Sequence, residues 1–250
     1  VHDGSSVLWY HDWEPGENLN KGSDGDFTYG LAAIPSEAGG ADLLVTSSLP
    51  DAYLIDGRTG ERIWHSVLDA DYPRPTVFGD PDDPLFFTAY GKKAYRAKTG
   101  DEAWELEIDK PTWATTIRWY EDEASYLLLG CEMDQEIDLD GNSRFIGNPW
   151  IQVVNAEGQS VFEKIFPQDE QLTGLIVADL DGEGIDTPVL HFDENKVRAL
   201  HPDGSARWET TVSIYAETWH HKLDGHSVGD VDGDGTDEIQ IGRASCRERV

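Results

Sequence analysis

A glycine followed four positions later by a bulky aromatic recurs along the chain: Gly60 with Trp64, Gly100 with Trp104, Gly158 with Phe162 and Gly204 with Trp208. Asp3-Gly4, followed by Leu8-Trp9, reads as a fifth copy whose aromatic has slipped by one place. Successive glycines are 56, 40, 58 and 46 residues apart. A motif returning at such intervals describes an array of similar units, each too small to bury its apolar face alone and each covered by its neighbour.

Every copy sits in a hairpin pattern. AYLIDGRTGERIWHS, KAYRAKTGDEAWELE, WIQVVNAEGQSVFEK and KVRALHPDGSARWET are alternating runs broken by a turn in which glycine supplies positive φ. Two more strand-like runs precede each hairpin, as in GLIVADL and TPVLHF. Four strands per unit predict an all-β fold, a β-propeller of four-stranded antiparallel blades. The pattern places an outer strand over residues 1–13, blades over 27–67, 75–108, 114–166 and 174–212, and the start of another from 226. Propellers close with about four to eight blades, so residues 1–240 are expected to form part of one. The structural rival, a two-domain α/β protein, lacks a long apolar stripe at helical spacing.

Charge narrows the partners. With 49 Asp and Glu against 19 Lys and Arg, the formal charge is −30, a field that repels nucleic acid and anionic membrane. The acids are spread along the whole chain. This composition resembles that of proteins from salt-loving archaea, where counterions screen the repulsion; the alternative is a calcium-rich extracellular protein whose carboxylates are ligands.

Residues 241–250 (IGRASCRERV) break the pattern, with three arginines against the single acid Glu248. They back-translate to a stretch resembling read-through of a common sequencing adapter, and are set aside as non-native. Cys246 goes with them, which leaves Cys131 and no intrachain disulfide. No stretch has the apolar length of a membrane span.

Two loops have the spacing of a cation site. In Asp230-Val231-Asp232-Gly233-Asp234-Gly235-Thr236-Asp237-Glu238, acids at positions one, three and five converge if the chain coils tightly, and Gly235 permits the reversal. The Thr236 carbonyl and the Glu238 carboxylate complete an all-oxygen set suited to Ca²⁺. The alternative is an acidic turn in an acidic protein. An earlier copy offers Asp179, Asp181, Glu183 and the Ile185 carbonyl, with Asp186 or a water to complete the shell. A third run, Asp138 to Asn142, reads as a polar turn.

The Thr-Gly-x-x-x-Trp hairpins resemble the repeats of pyrroloquinoline-quinone-type propellers, and the Asp-x-Asp-Gly-x-Gly loops resemble FG-GAP or VCBS repeats. The second resemblance implies that the metal loops join the first and second strands of a blade and that their calcium is structural. It also implies a binding face built from loops between blades and between second and third strands. On this chain that face collects Trp13, Tyr72, Arg74, Trp113, a 131–149 insertion carrying Arg144, His191, and the segment 215–226 with Trp219. Trp13, Trp113 and Trp219 fall in loops and are candidates for sugar stacking, with Arg144 beside them.

The run LDGHSVGDVDGDGTDEI resembles the corresponding stretch of rhamnogalacturonan-lyase-type propellers. Tyr215, His220, His221 and His226, near Lys222, would suit a β-elimination that takes a proton beside a uronic carboxylate. The competing reading, that these histidines cap strands or pack between blades, is preferred. A quinone dehydrogenase fares worse, since such enzymes often set adjacent cysteines against the cofactor and Cys131 stands alone. The expected function is an extracellular, calcium-stabilised propeller for adhesion or for binding a carbohydrate or protein ligand; the alternative is the polysaccharide lyase.

Overall fold

The aromatic of each hairpin rests on the glycine of the next. In the computed structural model, which describes residues 28–36, 39–47, 50–70, 74–89, 91–107, 111–121, 124–132, 134–137, 143–193, 196–211 and 226–241, the Trp64 indole lies over Gly100, where a Cβ would come within 2.9 Å of the ring. Trp104 covers Gly158 at the same separation, and Phe162 covers Gly204 at 3.1 Å. These glycines have φ of 76°, 79° and 80°. Each therefore performs two tasks, a left-handed turn and a bare surface, and no other residue type meets both.

The strands fall where the alternation places them. β1 (Thr28–Pro35), β2 (Ala41–Ser47), β3 (Asp51–Ile55) and β4 (Arg62–Val67) form one antiparallel meander, and β5 (Pro75–Asp80), β6 (Asp83–Thr88), β7 (Lys93–Arg96) and β8 (Glu102–Glu105) a second. In the third sheet β9 (Trp113–Ile117) and β10 (Tyr126–Cys131) are followed by an inserted hairpin, β11 (Asp134–Ile137) with β12 (Ser143–Ile146), before β13 (Trp150–Val154) and β14 (Ser160–Ile165) complete the four. β15 (Leu172–Ala178), β16 (Thr187–Phe192), β17 (Lys196–Leu200) and β18 (Ala206–Thr211) make the fourth sheet, and β19 (His226–Gly229) pairs with β20 (Glu238–Ile241). Four four-stranded sheets over the predicted spans are the blades of a β-propeller-type fold. Ile241, the first residue of the segment set aside, is paired in β20 opposite His226.

The chain divides into two compact units, residues 1–116, 123–129 and 153–161 in one and the remainder in the other. Within the first, Ile34, Leu44, Ala52, Leu54, Phe86 and Tyr95 make a core between the first two sheets, with Trp64 packed against it. Second and third strands are buried on both faces, as in Phe86 and Phe87 of β6, and read as continuous apolar runs. Fourth strands alternate: Ile63, His65 and Val67 of β4 are exposed while Trp64 turns inward. Within the second unit Val189, Val197 and Ala199 form a core against Trp208 and Ile239. Cys131 is buried. No helix among the described residues is long and apolar enough to cross a membrane.

Candidate metal centre

The Asp/Gly loops connect β15 to β16 and β19 to β20, the first and second strands of their sheets. The later loop coils through Gly233 and Gly235, at φ of 81° and 93°. Asp230 Oδ1 accepts hydrogen bonds from the Gly233 and Asp234 amides at 2.6 and 3.1 Å, and Oδ2 accepts from Gly235 at 3.0 Å. Glu238 Oε2 takes the Val231 amide at 2.8 Å. The loop's amides thus point inward and fix its carboxylates.

One carboxylate oxygen from each of Asp230, Asp232 and Glu238 lies within 4.8 Å of the others. These are three of the five predicted ligands. The other two engage each other: Asp234 Oδ1 accepts from the Thr236 hydroxyl at 2.5 Å and its amide at 2.9 Å, which holds the Asp234 carboxyl below its usual range. Three converging carboxylates with no nitrogen or sulfur donor fit a hard cation, calcium before a transition metal.

The earlier loop carries the same turn with different partners. Gly182 and Gly184 again have positive φ, and Asp179 Oδ2 accepts from Gly184 at 2.8 Å as Asp230 does from Gly235. Asp179 is buried, however, and its Oδ1 has no hydrogen-bond partner among the described residues. Asp181 pairs with Arg207. Glu183 and Ile185 lie in the loop, and Thr187 stands where the later loop has Glu238. Among the described residues no group of three acids gathers here as at 230–238.

Position eight of both loops does something the spacing did not reveal. Asp237 Oδ2 accepts the Asp179 amide at 2.8 Å, and its own amide donates to the Asp179 carbonyl at 2.8 Å. Asp186 repeats the clamp one sheet earlier, accepting from the Arg118 amide at 2.7 Å and donating to its carbonyl at 2.8 Å. At the matching point of the second sheet, Gly79 and Ser125 exchange backbone bonds at 2.9 and 3.3 Å. Asp186, considered above as a possible ligand, is thus a fastener between neighbouring sheets. Asp186→Ala is expected to cost about 2 kcal/mol, since it removes an ionised acceptor from an amide and from the Arg118 guanidinium; urea unfolding measures it, and an unchanged midpoint would show that the clamp carries no load.

The remaining candidates are scattered. Tyr215, His220, His221, Trp219, Trp13, Tyr72 and the 138–142 turn lie outside the described residues. His226 opens β19, and Arg144 lies in β12 opposite Glu136. Trp113 opens strand β9, not a loop as its neighbours suggested: the turn ends at Thr112, and an aromatic favours the extended backbone that follows. The His191 ring Nδ1 sits 2.8 Å from the Thr173 hydroxyl. The residues that spacing missed are Arg118 and Arg207, cations far along the chain from the loop they serve, and no local motif announces such partners.

No protein-family model and no curated protein matches the sequence. Among solved structures, the chain is similar to BBS1N, crystallised in complex with ARL6DN and soaked with lead, at 12% identity and a TM-score of 0.54 over 81% of this chain. The match spans 57% of that chain's length. A second similarity, to the Pan2 WD40 domain of Neurospora crassa, has 16% identity and a TM-score of 0.42, covering 74% of this chain and 56% of that one. BBS1N has a β-propeller-type fold, and the chain shares that fold.

Proposed function

We propose that this chain is a calcium-stabilised β-propeller module of an extracellular protein, whose task is to hold a surface for a protein partner. The observation that carries the reading is the gathering of Asp230, Asp232 and Glu238 on a loop whose Asp237, the residue before Glu238, grips the neighbouring sheet. A cation there would offset three mutually repelling carboxylates and stiffen the clamp at the same time. Loops of this kind with exposed acids load at the millimolar calcium found outside cells. Support for a protein partner comes from BBS1N, which was crystallised with ARL6DN bound. The charge of −30 agrees with a salt-rich medium, and its repulsion makes the cation more valuable to folding.

Calcium at about a hundredfold above its dissociation constant is expected to add about 2.7 kcal/mol, raising the melting temperature of a chain this size by about 5–10 °C. The measurement is thermal unfolding in molar salt, with and without calcium and with magnesium as control. Asp230→Ala should abolish the rise. An equal rise with magnesium, or one that survives Asp230→Ala, would remove the assignment.

A further inference from the structure

The two loops share a spacing, yet their carboxylates keep different company. In the later loop no lysine or arginine among the described residues pairs with Asp230, Asp232, Asp234 or Glu238. In the earlier one, Arg118 Nη2 donates to Asp186 Oδ1 at 2.9 Å and lies 3.9 Å from Asp179 Oδ2, while Arg207 pairs with Asp181. The side chains of Asp179 and Asp186 are only 13% and 12% exposed, so their charges require a partner inside the protein.

We infer that the guanidinium groups of Arg118 and Arg207 hold the earlier loop's carboxylates in place of a metal, making residues 179–187 a metal-independent copy of the loop at 230–238. The inference rests on the calcium reading of that later loop. Position one lies 3.9 Å from Arg118, which holds position eight by a hydrogen bond, position three pairs with Arg207, and position nine, Thr187, has no carboxylate to offer. A divalent ion entering this loop would meet two fixed positive charges and find no carboxylate at position nine. Guanidinium is also suited to the task, being permanently charged, weakly hydrated and forked to match a carboxylate. Its attachment to the chain makes this loop's order independent of calcium supply. Asp179 Oδ1 is buried and without a hydrogen-bond partner among the described residues, an acceptor the arginines leave over.

Calorimetric titration of the full chain with calcium, after chelation and desalting, counts the equivalents. Wild type should take up one, Asp230→Ala none, and Asp181→Ala still one. The double variant Arg118→Gln with Arg207→Gln should gain an equivalent, because Asp179 and Asp181 are released while Oδ1 already awaits a cation; Arg118→Lys with Arg207→Lys keeps the charges and should gain none. Two equivalents in wild type, with one lost in Asp181→Ala, would overturn the inference, and this comparison stands even where the glutamine variant fails to fold. Should wild type take up no calcium, the reading of the later loop fails by itself, and the glutamine variant still decides: an acquired equivalent upholds the arginine replacement, and none overturns it.

Discussion

Trp104→Ala is expected to destabilise the folded chain by about 3–5 kcal/mol, the range for emptying a large aromatic site. The indole is held from three sides. Its Nε1 donates to the Ala156 carbonyl at 2.8 Å, its face covers Gly158, and it stacks on Phe87 and meets Phe78 edge-on, with centroids 6.2 and 6.0 Å away. Deleting it opens a void between neighbouring hairpins and strands a carbonyl. Trp104→Phe restores most of the ring contact but not the hydrogen bond, and should recover all but about 1 kcal/mol of the hydrogen bond's share beyond the lost volume. Urea unfolding compares the three proteins. A loss below about 1 kcal/mol for the alanine variant would mean the hairpins are held by something other than this contact.

Arg198→Met should cost about 2 kcal/mol, as it strips charge-assisted hydrogen bonds from the half-buried Glu170 and leaves it only Lys196, 3.4 Å away, as a cation partner. Arg198 donates to both Glu170 oxygens, at 2.9 and 2.7 Å, and from Nε to Glu209 at 2.6 Å, while its guanidinium lies 4.8 Å from the centre of the Phe192 ring. Its side chain is 14% exposed and that of Glu170 20%. Methionine keeps the stem's packing and removes only the charge and the donors. The Arg198 hydrogen bonds hold the Glu170 carboxyl below its ordinary value of 4.5. A carboxyl depressed on folding stabilises the native state fully above that value and loses the contribution as pH falls through the native pKa. The stability gap between wild type and Arg198→Met should therefore be flat near neutrality and shrink in acid. A gap that widens in acid would sink the assignment.

The blade boundaries were legible because two local signals coincide in this chain: period-two alternation and turn glycines at a fixed offset from an aromatic. What could not be read is where each aromatic goes. The Gly-to-Trp spacing suggests a contact within a hairpin, whereas Trp64 reaches Gly100 and the Ala97 carbonyl, 33 residues on, because the fourth strand of one sheet abuts the last turn of the next. The acidic loop was legible for a related reason, since its converging carboxylates lie within nine consecutive residues and coil together locally. The arginines of the earlier loop come from β18 and from the residue after β9, and only tertiary structure brings them to it. Trp119, buried and tilted on Phe162 with ring centroids 5.0 Å apart, was hidden likewise.

The aromatic-on-glycine contact also bears on how a chain of this kind can evolve. Each repeat carries a plug in its fourth strand and a socket in its last turn, so the junction between any two repeats has the same chemistry. Duplication, loss or exchange of a whole repeat-coding segment leaves every plug above a socket, whereas a break inside a repeat separates the two. Repeat number can then drift cheaply under selection while the junction residues cannot, and loops such as 131–149 are free to lengthen because they lie outside the mated pair.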